Sequence, residues 1–358
     1  MEKLHRFHIA LLVFNTQCGV TLFVIPRVAA INLGTNGWIG IGIGYLIVSI
    51  NIMLITLLYR LGRGASIFQI LGKGLPRFLL VPLYLLIALG LALVGCFVVK
   101  EYVVIYQILI FPQTPEMVLK LFVDVSVFLM VTKGVYNMSK ANLFFVAFLL
   151  ALVPLSFTFV NDFDFNRLTP YLFKEAHNPA EGIFRMYAAF LGYELFMFLF
   201  PYAENNKKWL KYLHLGNTMT AAVYLLVTLV CYGFFNYREL TNLAFPILEM
   251  FGYLQFPFVE RVQNFLYSTF LLSILTTASM YYWSGQIVIA EVFPRLPWKG
   301  VVFTLMAGSF LVALIPKTLL EVEKWFGLLL YFESGVAFGL PLLALLSLLI
   351  QKGRKSHA

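Results

Sequence analysis

Long apolar runs separated by short polar stretches dominate the hydrophobic pattern of this chain. Runs of about 17–25 apolar residues can cross the ~30 Å hydrocarbon core of a bilayer as α-helices. The pattern predicts ten membrane-spanning helices, over residues 7–31, 38–60, 78–110, 117–132, 138–160, 181–203, 213–236, 256–283, 300–316 and 325–350. The third run reaches about 50 Å at 1.5 Å per residue, so it must tilt or protrude.

Two of the predicted spans contain a helix-breaking pair. The first has Gly19 and then Pro26 in "CGVTLFVIP", and the sixth has Gly192 and then Pro201 in "GYELFMFLFP". Free backbone N–H and C=O groups each cost several kcal/mol in lipid, so a broken helix is tolerated only around a cavity or a ligand. The simpler alternatives are glycines that only allow close helix packing and prolines that only kink a helix.

The position of the two breaks predicts the architecture. Because the first and sixth spans are five apart, matching breaks are typical of transporter folds built from inverted repeats. The sequence therefore predicts an all-α, LeuT/APC-like membrane protein in which spans one and six are broken. It would form a single membrane domain, 1–358, of two inverted five-helix repeats, approximately 7–160 and 181–350.

Bare backbone groups at the two breaks also predict the chemistry of a ligand. The N-terminus of the outer half-helix, at residues 19–21, carries positive partial charge and attracts a carboxylate. Carbonyl groups at the other half-helix ends suit an ammonium group, so a zwitterion such as an amino acid matches both. Glu194 begins the second half of the sixth span, and it either serves a ligand amine or a proton or pairs with Arg27 or Lys100.

Further polar residues lie inside the predicted spans. Residues 15–17, which end in Gln17, precede the first break and either line the cavity or bond a neighbouring helix. Ser273, Thr276 and Thr277 share one face of the eighth span, which indicates contact with protein or water rather than lipid. Tyr281, one turn further on, is placed to cover the cavity, and the alternative for the whole stripe is hydrogen bonding between helices.

Composition and charge narrow the class of protein. The chain is 61% hydrophobic and 12% charged, which excludes a water-soluble shape. Most of its 26 lysines and arginines fall in alternate loops, which predicts that both termini are cytoplasmic. The net charge of +9 then reflects topology and anionic lipid, and it requires no nucleic-acid partner.

The reactive side chains show no arrangement typical of an enzyme. The three cysteines fall within spans, and neither they nor the five histidines have the spacing of a disulfide framework or a metal site. No nucleophile and base are paired in the pattern. We therefore expect no catalytic residue, no metal and no cofactor.

Several stretches resemble the B subunits of GerA-type spore germinant receptors, in the amino acid–polyamine–organocation (APC) superfamily. These are "CGVTLFVIP" followed by a Gly and Trp38, "FPQTP" after the third span, "GYE…FP" with "NNKKWLK" beyond it, and "PILEMFGYLQFPFVERVQ". Their order and spacing extend the similarity over nearly the whole chain. Gln263 and Phe270 depart from the family pattern, in which an acidic residue and a Trp are common at those positions.

The resemblance implies a function, a location and a pocket. The implied protein lies in the inner spore membrane with receptor A and C subunits as partners, and it senses a small nutrient such as an amino acid. The implied pocket lies between spans one, three, six and eight. Carried over by position, the pocket residues are Gly19, Thr21, Gly192, Tyr193, Glu194 and Thr276.

Two other functions fit the same pattern. One is a secondary transporter of amino acids or polyamines of the APC type, although the fifth span has only Lys140, at its start, where proton-coupled relatives often have a central Lys. Ion coupling through the Thr276–Thr277 region and carbonyls of the first span would still allow transport. The other is a ligand-gated ion or water pathway.

Overall fold

The structure, a computed structural model, describes residues 4–168, 173–202, 209–254 and 262–356, with side chains to residue 351. Within these ranges the chain forms helices and turns and no extended strand. The α-helices are α1 (Arg6–Gln17), α2 (Thr21–Leu33), α3 (Ile39–Leu61), α4 (Ile67–Gly74), α5 (Arg77–Leu109), α6 (Glu116–Val131), α7 (Gly134–Leu150), α8 (Leu152–Ser156), α9 (Pro179–Ala188), α10 (Trp209–Phe234), α11 (Tyr237–Asn242), α12 (Pro246–Gly252), α13 (Val262–Val292), α14 (Trp298–Val312) and α15 (Leu319–Ser356). Short 3-10 helices cover Gly34–Asn36, Phe157–Asp162, Phe165–Leu168 and Tyr193–Leu199. Part of the "NNKKWLK" motif and the start of the eighth predicted span lie outside the described residues.

Each of the ten predicted runs contains a helix of the structure. Fewer than ten of these helices are long enough and apolar enough to cross a membrane. Six segments of the described chain meet both conditions, namely Ile39–Leu61, Arg77–Leu109, Gly134–Asp162, Pro179–Leu199, Trp209–Phe234 and Leu319–Gln351. The bent pair α1 and α2 would be a seventh. The helices α6 and α14 have only 16 and 15 residues, and the 31-residue α13 carries many hydroxyl groups. Ten spans and an inverted repeat therefore stay predictions.

The long helices α5 and α13 form the centre of the fold. Helix α13 also packs against α1, α6, α7 and α14, and this explains why it is buried around most of its circumference despite its polar residues. Gly95 permits a close approach of α5 to α13, since a Cβ atom there would lie 2.9 Å from the Cβ of Tyr281. The polar face of α13 is thereby held against the broken first span.

Helix α4 was not predicted, because its apolar run is too short to cross a membrane. A capping box starts it, in which Ser66 and Gln69 exchange hydrogen bonds of 3.2 Å. Its apolar side is buried, and Ser347 of α15 donates to the Ile70 carbonyl at 2.8 Å. The Ser-x-x-Gln spacing before an apolar run was the available sequence signal for this helix.

Candidate functional site

The first span is interrupted where the Gly–Pro pair predicted it. Helix α1 ends at Gln17 and α2 begins at Thr21, and the two are bent by 57°. The space beside Gly19 is open, since nothing lies within 4 Å of the position that a Cβ atom would take. Gly19 therefore borders a cavity rather than a tightly packed neighbouring helix.

The sixth span is interrupted too, and there the glycine is required. Helix α9 ends at Ala188, and a seven-residue 3-10 helix follows Gly192, although 3-10 runs longer than 3–4 residues are uncommon. Gly192 has a φ of +109°, and a Cβ atom there would lie 2.9 Å from the Cγ2 of Thr16. The two breaks therefore contact each other directly, through Gly192 and Thr16.

Gln17 joins the two breaks. Its side-chain amide donates to the Phe190 carbonyl at 2.7 Å and to Asn217 at 3.1 Å, and its side-chain oxygen accepts from Thr220 at 2.7 Å. The Tyr224 hydroxyl lies 2.6 Å from the Gln17 carbonyl and 3.1 Å from the Ala189 carbonyl. Gln17 and Tyr224 thus satisfy backbone carbonyls from both breaks.

We expect Tyr224→Phe to destabilise the protein by about 1–3 kcal/mol, because it leaves buried carbonyls of both breaks without this donor. Thermal unfolding of the purified protein in detergent measures the change. Tyr331→Phe is the matched control, since Tyr331 is 52% exposed and its hydroxyl donates to Glu181 at the surface. An equal loss of stability in both variants would contradict the role given to Tyr224.

Hydroxyl groups of α13 cover the carbonyl groups at the end of α1. The Ser273 hydroxyl lies 2.6 Å from the Asn15 side-chain oxygen and 2.9 Å from the Cys18 carbonyl. Thr277, one turn on, donates to the Asn15 carbonyl at 3.2 Å. The Thr276 hydroxyl instead donates to the Leu272 carbonyl of its own helix at 3.4 Å. Within the predicted stripe, Ser273 and Thr277 therefore face the break.

A cavity of about 30 Å³ lies at the first break. That volume holds about two water-sized spheres, so the cavity is too small for an amino acid in this conformation. Its lining includes Gln17, Gly19, Thr21 and Tyr281 of the predicted site residues. The other four, Gly192, Tyr193, Glu194 and Thr276, are buried beside it and do not line it. Two carboxyl groups that the predicted site lacked, those of Glu101 and Glu333, do line it.

A second cavity, of about 110 Å³, adjoins the first and shares Thr21 and Glu101 with it. It adds the charged residues Arg27, Arg185 and Glu323. Arg185 is paired with Glu181 at 2.8 Å, whereas the Nε of Arg27 has no partner among the described residues. The two cavities together therefore present both signs of charge within one region.

Glu101 is the acidic group shared by both cavities. Its side chain comes from α5 and is 6% exposed, and its Oε2 has no hydrogen-bond partner within the described chain. Neighbouring Lys100 points away and pairs with Glu116 at 2.6 Å. Glu194 pairs with neither Arg27 nor Lys100 within the described chain, since its Oε2 accepts from the Gly192 N–H at 2.9 Å and its Oε1 has no hydrogen-bond partner.

Solved structures define the class of this fold. The chain is similar to a sodium-coupled sialic acid symporter, with a TM-score of 0.66 and 12% identity, over 96% of this chain and 79% of that one. It is also similar to a nucleobase-cation-symport-1 family transporter in a closed conformation, with a TM-score of 0.64 and 13% identity, over 92% and 75%. The fold is therefore similar to that of these two membrane transporters.

The family model described as "Spore germination protein" matches residues 3–322, and the chain belongs to that family. Spore germination protein A2 of Bacillus subtilis (strain 168) is 26% identical over 78% of each chain. Spore germination protein B2 of the same organism is 23% identical over 95% of this chain and 94% of that one. GerQB of Bacillus cereus is 24% identical over 78% of each. The resemblance to GerA-type B subunits is confirmed.

Proposed function

We propose that this chain is the nutrient-sensing membrane subunit of a spore germination receptor, and that its ligand is an amino acid or a similar small zwitterion. The proposal rests on the meeting of two broken spans at a cavity lined by Glu101, a buried carboxyl group whose Oε2 has no hydrogen-bond partner among the described residues. The N–H groups at the start of α2 would hold the ligand carboxylate. Glu101 would take the ammonium group, and Arg27 would attract the carboxylate as the ligand enters.

The topology, the location and the partner subunits that we propose follow from the family. The ten spans would form a single domain of two inverted repeats with both termini in the cytoplasm of the inner spore membrane. Receptor A and C subunits would be its partners, as for the B subunits that it resembles. A sensor of this kind responds because the ligand binds two conformations with different affinity. The conformation with the small cavity is one of these, and a conformation with a wider cavity would admit the ligand.

The fold also favours a second candidate, a secondary transporter of amino acids or polyamines, since the solved structures that it matches are transporters. Reconstitution separates the two functions. The protein in sealed liposomes would be given radiolabelled amino acids with and without proton and sodium gradients. We expect saturable binding without accumulation. Concentrative, gradient-driven uptake would contradict the sensor and support the transporter.

Gly19→Leu tests the position of the ligand. The position of a Cβ atom at Gly19 is open, so we expect Gly19→Ala to keep the wild-type melting temperature. The larger side chain of Gly19→Leu would fill the 30 Å³ cavity, and we expect this variant to lose ligand binding at least tenfold. Gly19→Ala, with a smaller side chain, should bind more weakly than the wild type and more tightly than Gly19→Leu. Binding by scintillation proximity assay measures both variants. Wild-type affinity in Gly19→Leu would remove the ligand from this cavity.

A further inference from the structure

Two carboxyl groups meet at the centre of the protein, beside the second break. Glu194 is the second residue of the 3-10 helix that follows Gly192, and Glu333 lies near the middle of α15. Their exposed fractions are 0% and 1%, and the two carboxyl groups lie next to each other. They come from elements far apart in the chain, so the contact ties α15 to the broken span.

In each carboxyl group, one oxygen accepts a hydrogen bond and the other has no hydrogen-bond donor among the described residues. Glu194 Oε2 accepts from the Gly192 N–H, and Glu333 Oε1 accepts from the Tyr281 hydroxyl. Glu194 Oε1 and Glu333 Oε2 have no hydrogen-bond partner among the described residues. A buried carboxylate oxygen without a donor is costly, and here two such oxygens belong to carboxyl groups in contact.

No positively charged side chain among the described residues faces the two carboxyl groups. The titratable groups that face the pair are Tyr187 of α9, Tyr193 of the 3-10 helix and Tyr281 of α13, together with Glu101 across the 30 Å³ cavity. In the described part of the chain, no lysine or arginine lines that cavity or bonds to either carboxyl group. Two ionised carboxylates in contact would repel each other strongly in such a medium.

We propose that Glu194 and Glu333 form a proton-binding site in which a single proton is shared between the two carboxyl groups. The shared proton gives both partnerless oxygens a hydrogen bond and removes one of the two charges. Glu194 is the better acceptor of the pair, since a backbone N–H already supports its negative charge. The proton therefore fastens α15 to the second break, and its loss frees these elements to separate.

The site has a consequence for ligand binding, which rests on the proposed function. Glu333 lines the same cavity as Gly19 and Thr21. An ammonium group that entered this cavity would stabilise ionised Glu333 and compete with the shared proton. Ligand binding and proton release would then be coupled.

Infrared spectroscopy of the full-length protein in lipid, without ligand, tests the proton site directly. The wild type at neutral pH should show the C=O stretch of a buried protonated carboxylic acid. Glu194→Gln and Glu333→Gln, each combined with Glu101→Gln so that this other buried carboxyl group of the cavity gives no signal, should each abolish this band, because the amide takes over as hydrogen-bond donor and the remaining carboxyl group of the pair ionises. Glu249→Gln, at an exposed position of α12, should keep it. A wild-type spectrum without the band, or a band that survives in both pair variants, would overturn the proposal.

The pH dependence of the melting temperature provides a second readout. The stability that the shared proton contributes is present at low pH and is lost as the pH rises through ionisation of the pair. We expect the wild-type melting temperature to fall by about 3 °C or more over that rise, and Glu333→Gln to lack this fall because its amide donor does not titrate. A wild-type profile without the fall, or a parallel fall in Glu333→Gln, would contradict the shared proton. Neither measurement uses a ligand, so a failure of the sensing proposal would leave both results unchanged.

Discussion

Replacing Gly192 with alanine is expected to destabilise the protein by about 2–4 kcal/mol, one of the two largest effects predicted here. An L-residue in left-handed backbone costs roughly 1–2 kcal/mol, and Gly192 has a φ of +109°. The added methyl group would also meet the Cγ2 of Thr16 at 2.9 Å, and overpacking typically costs about 1–3 kcal/mol. The melting temperature and the yield of folded protein in detergent measure the loss.

Two further variants separate backbone strain from the steric clash. Thr16→Ser removes the methyl group that the new Cβ would meet, so combining it with Gly192→Ala should recover part of the loss. The part that remains is the cost of the left-handed backbone. Gly42→Ala is the control, because nothing lies within 4 Å of its Cβ position, and it should be neutral or stabilising. A Gly192→Ala protein as stable as the wild type would mean that the second break is formed differently.

Glu101→Gln is expected to weaken amino acid binding by about 10–100-fold, while the melting temperature changes little or rises. Hydrogen bonds to charged groups contribute about 1.5–3 kcal/mol, and each 1.4 kcal/mol is about tenfold in affinity. The expectation rests on the Glu101 Oε2, which has no partner within the described residues, and on the place of Glu101 in the lining of both cavities. The uncharged amide keeps the shape of the side chain and removes its attraction for an ammonium group.

Ligand analogues make this prediction specific. A carboxylic acid that lacks the amino group should bind the wild type weakly, and Glu101→Gln should change its affinity by less than it changes that of the amino acid. Glu249→Gln, at an exposed position, serves as the control for the loss of one negative charge. Equal affinity of the amino acid for the wild type and Glu101→Gln would place the ammonium group elsewhere.

The breaks could be predicted from sequence because their cause is local. Glycine and proline are poor helix formers, and the positions of Gly19 and Gly192 marked both interruptions within a few residues. The same pattern does not always break a helix, since Gly339 and Pro341 lie within the continuous helix α15. The hydroxyl groups of Ser273 and Thr277 were likewise predictable, since their spacing of four places them on one helix face. For these residues, local periodicity is sufficient to predict which way they face.

The acidic lining of the cavity could not be predicted in the same way. Glu333 stands alone in the last apolar run, and its partners, Glu194 and Tyr281, are brought to it only by the packing of α15. In the sequence, Glu101 is one of two adjacent charged residues in a long span. The structure shows that Lys100 pairs with Glu116, whereas Glu101 faces the cavity. Gln17 was predicted as a ligand contact, but its polar atoms are already taken up by groups of the two breaks and of α10.

A structure of the purified protein with a bound amino acid tests the central claim most directly. The ligand would be the common amino acid that raises the melting temperature most in a thermal-shift screen. We predict density between the start of α2 and Ala189, with the carboxylate at the N–H groups of residues 20–21 and the amine at Glu101. Ligand density at any other place, with the cavity at Gly19 still closed, would contradict the account.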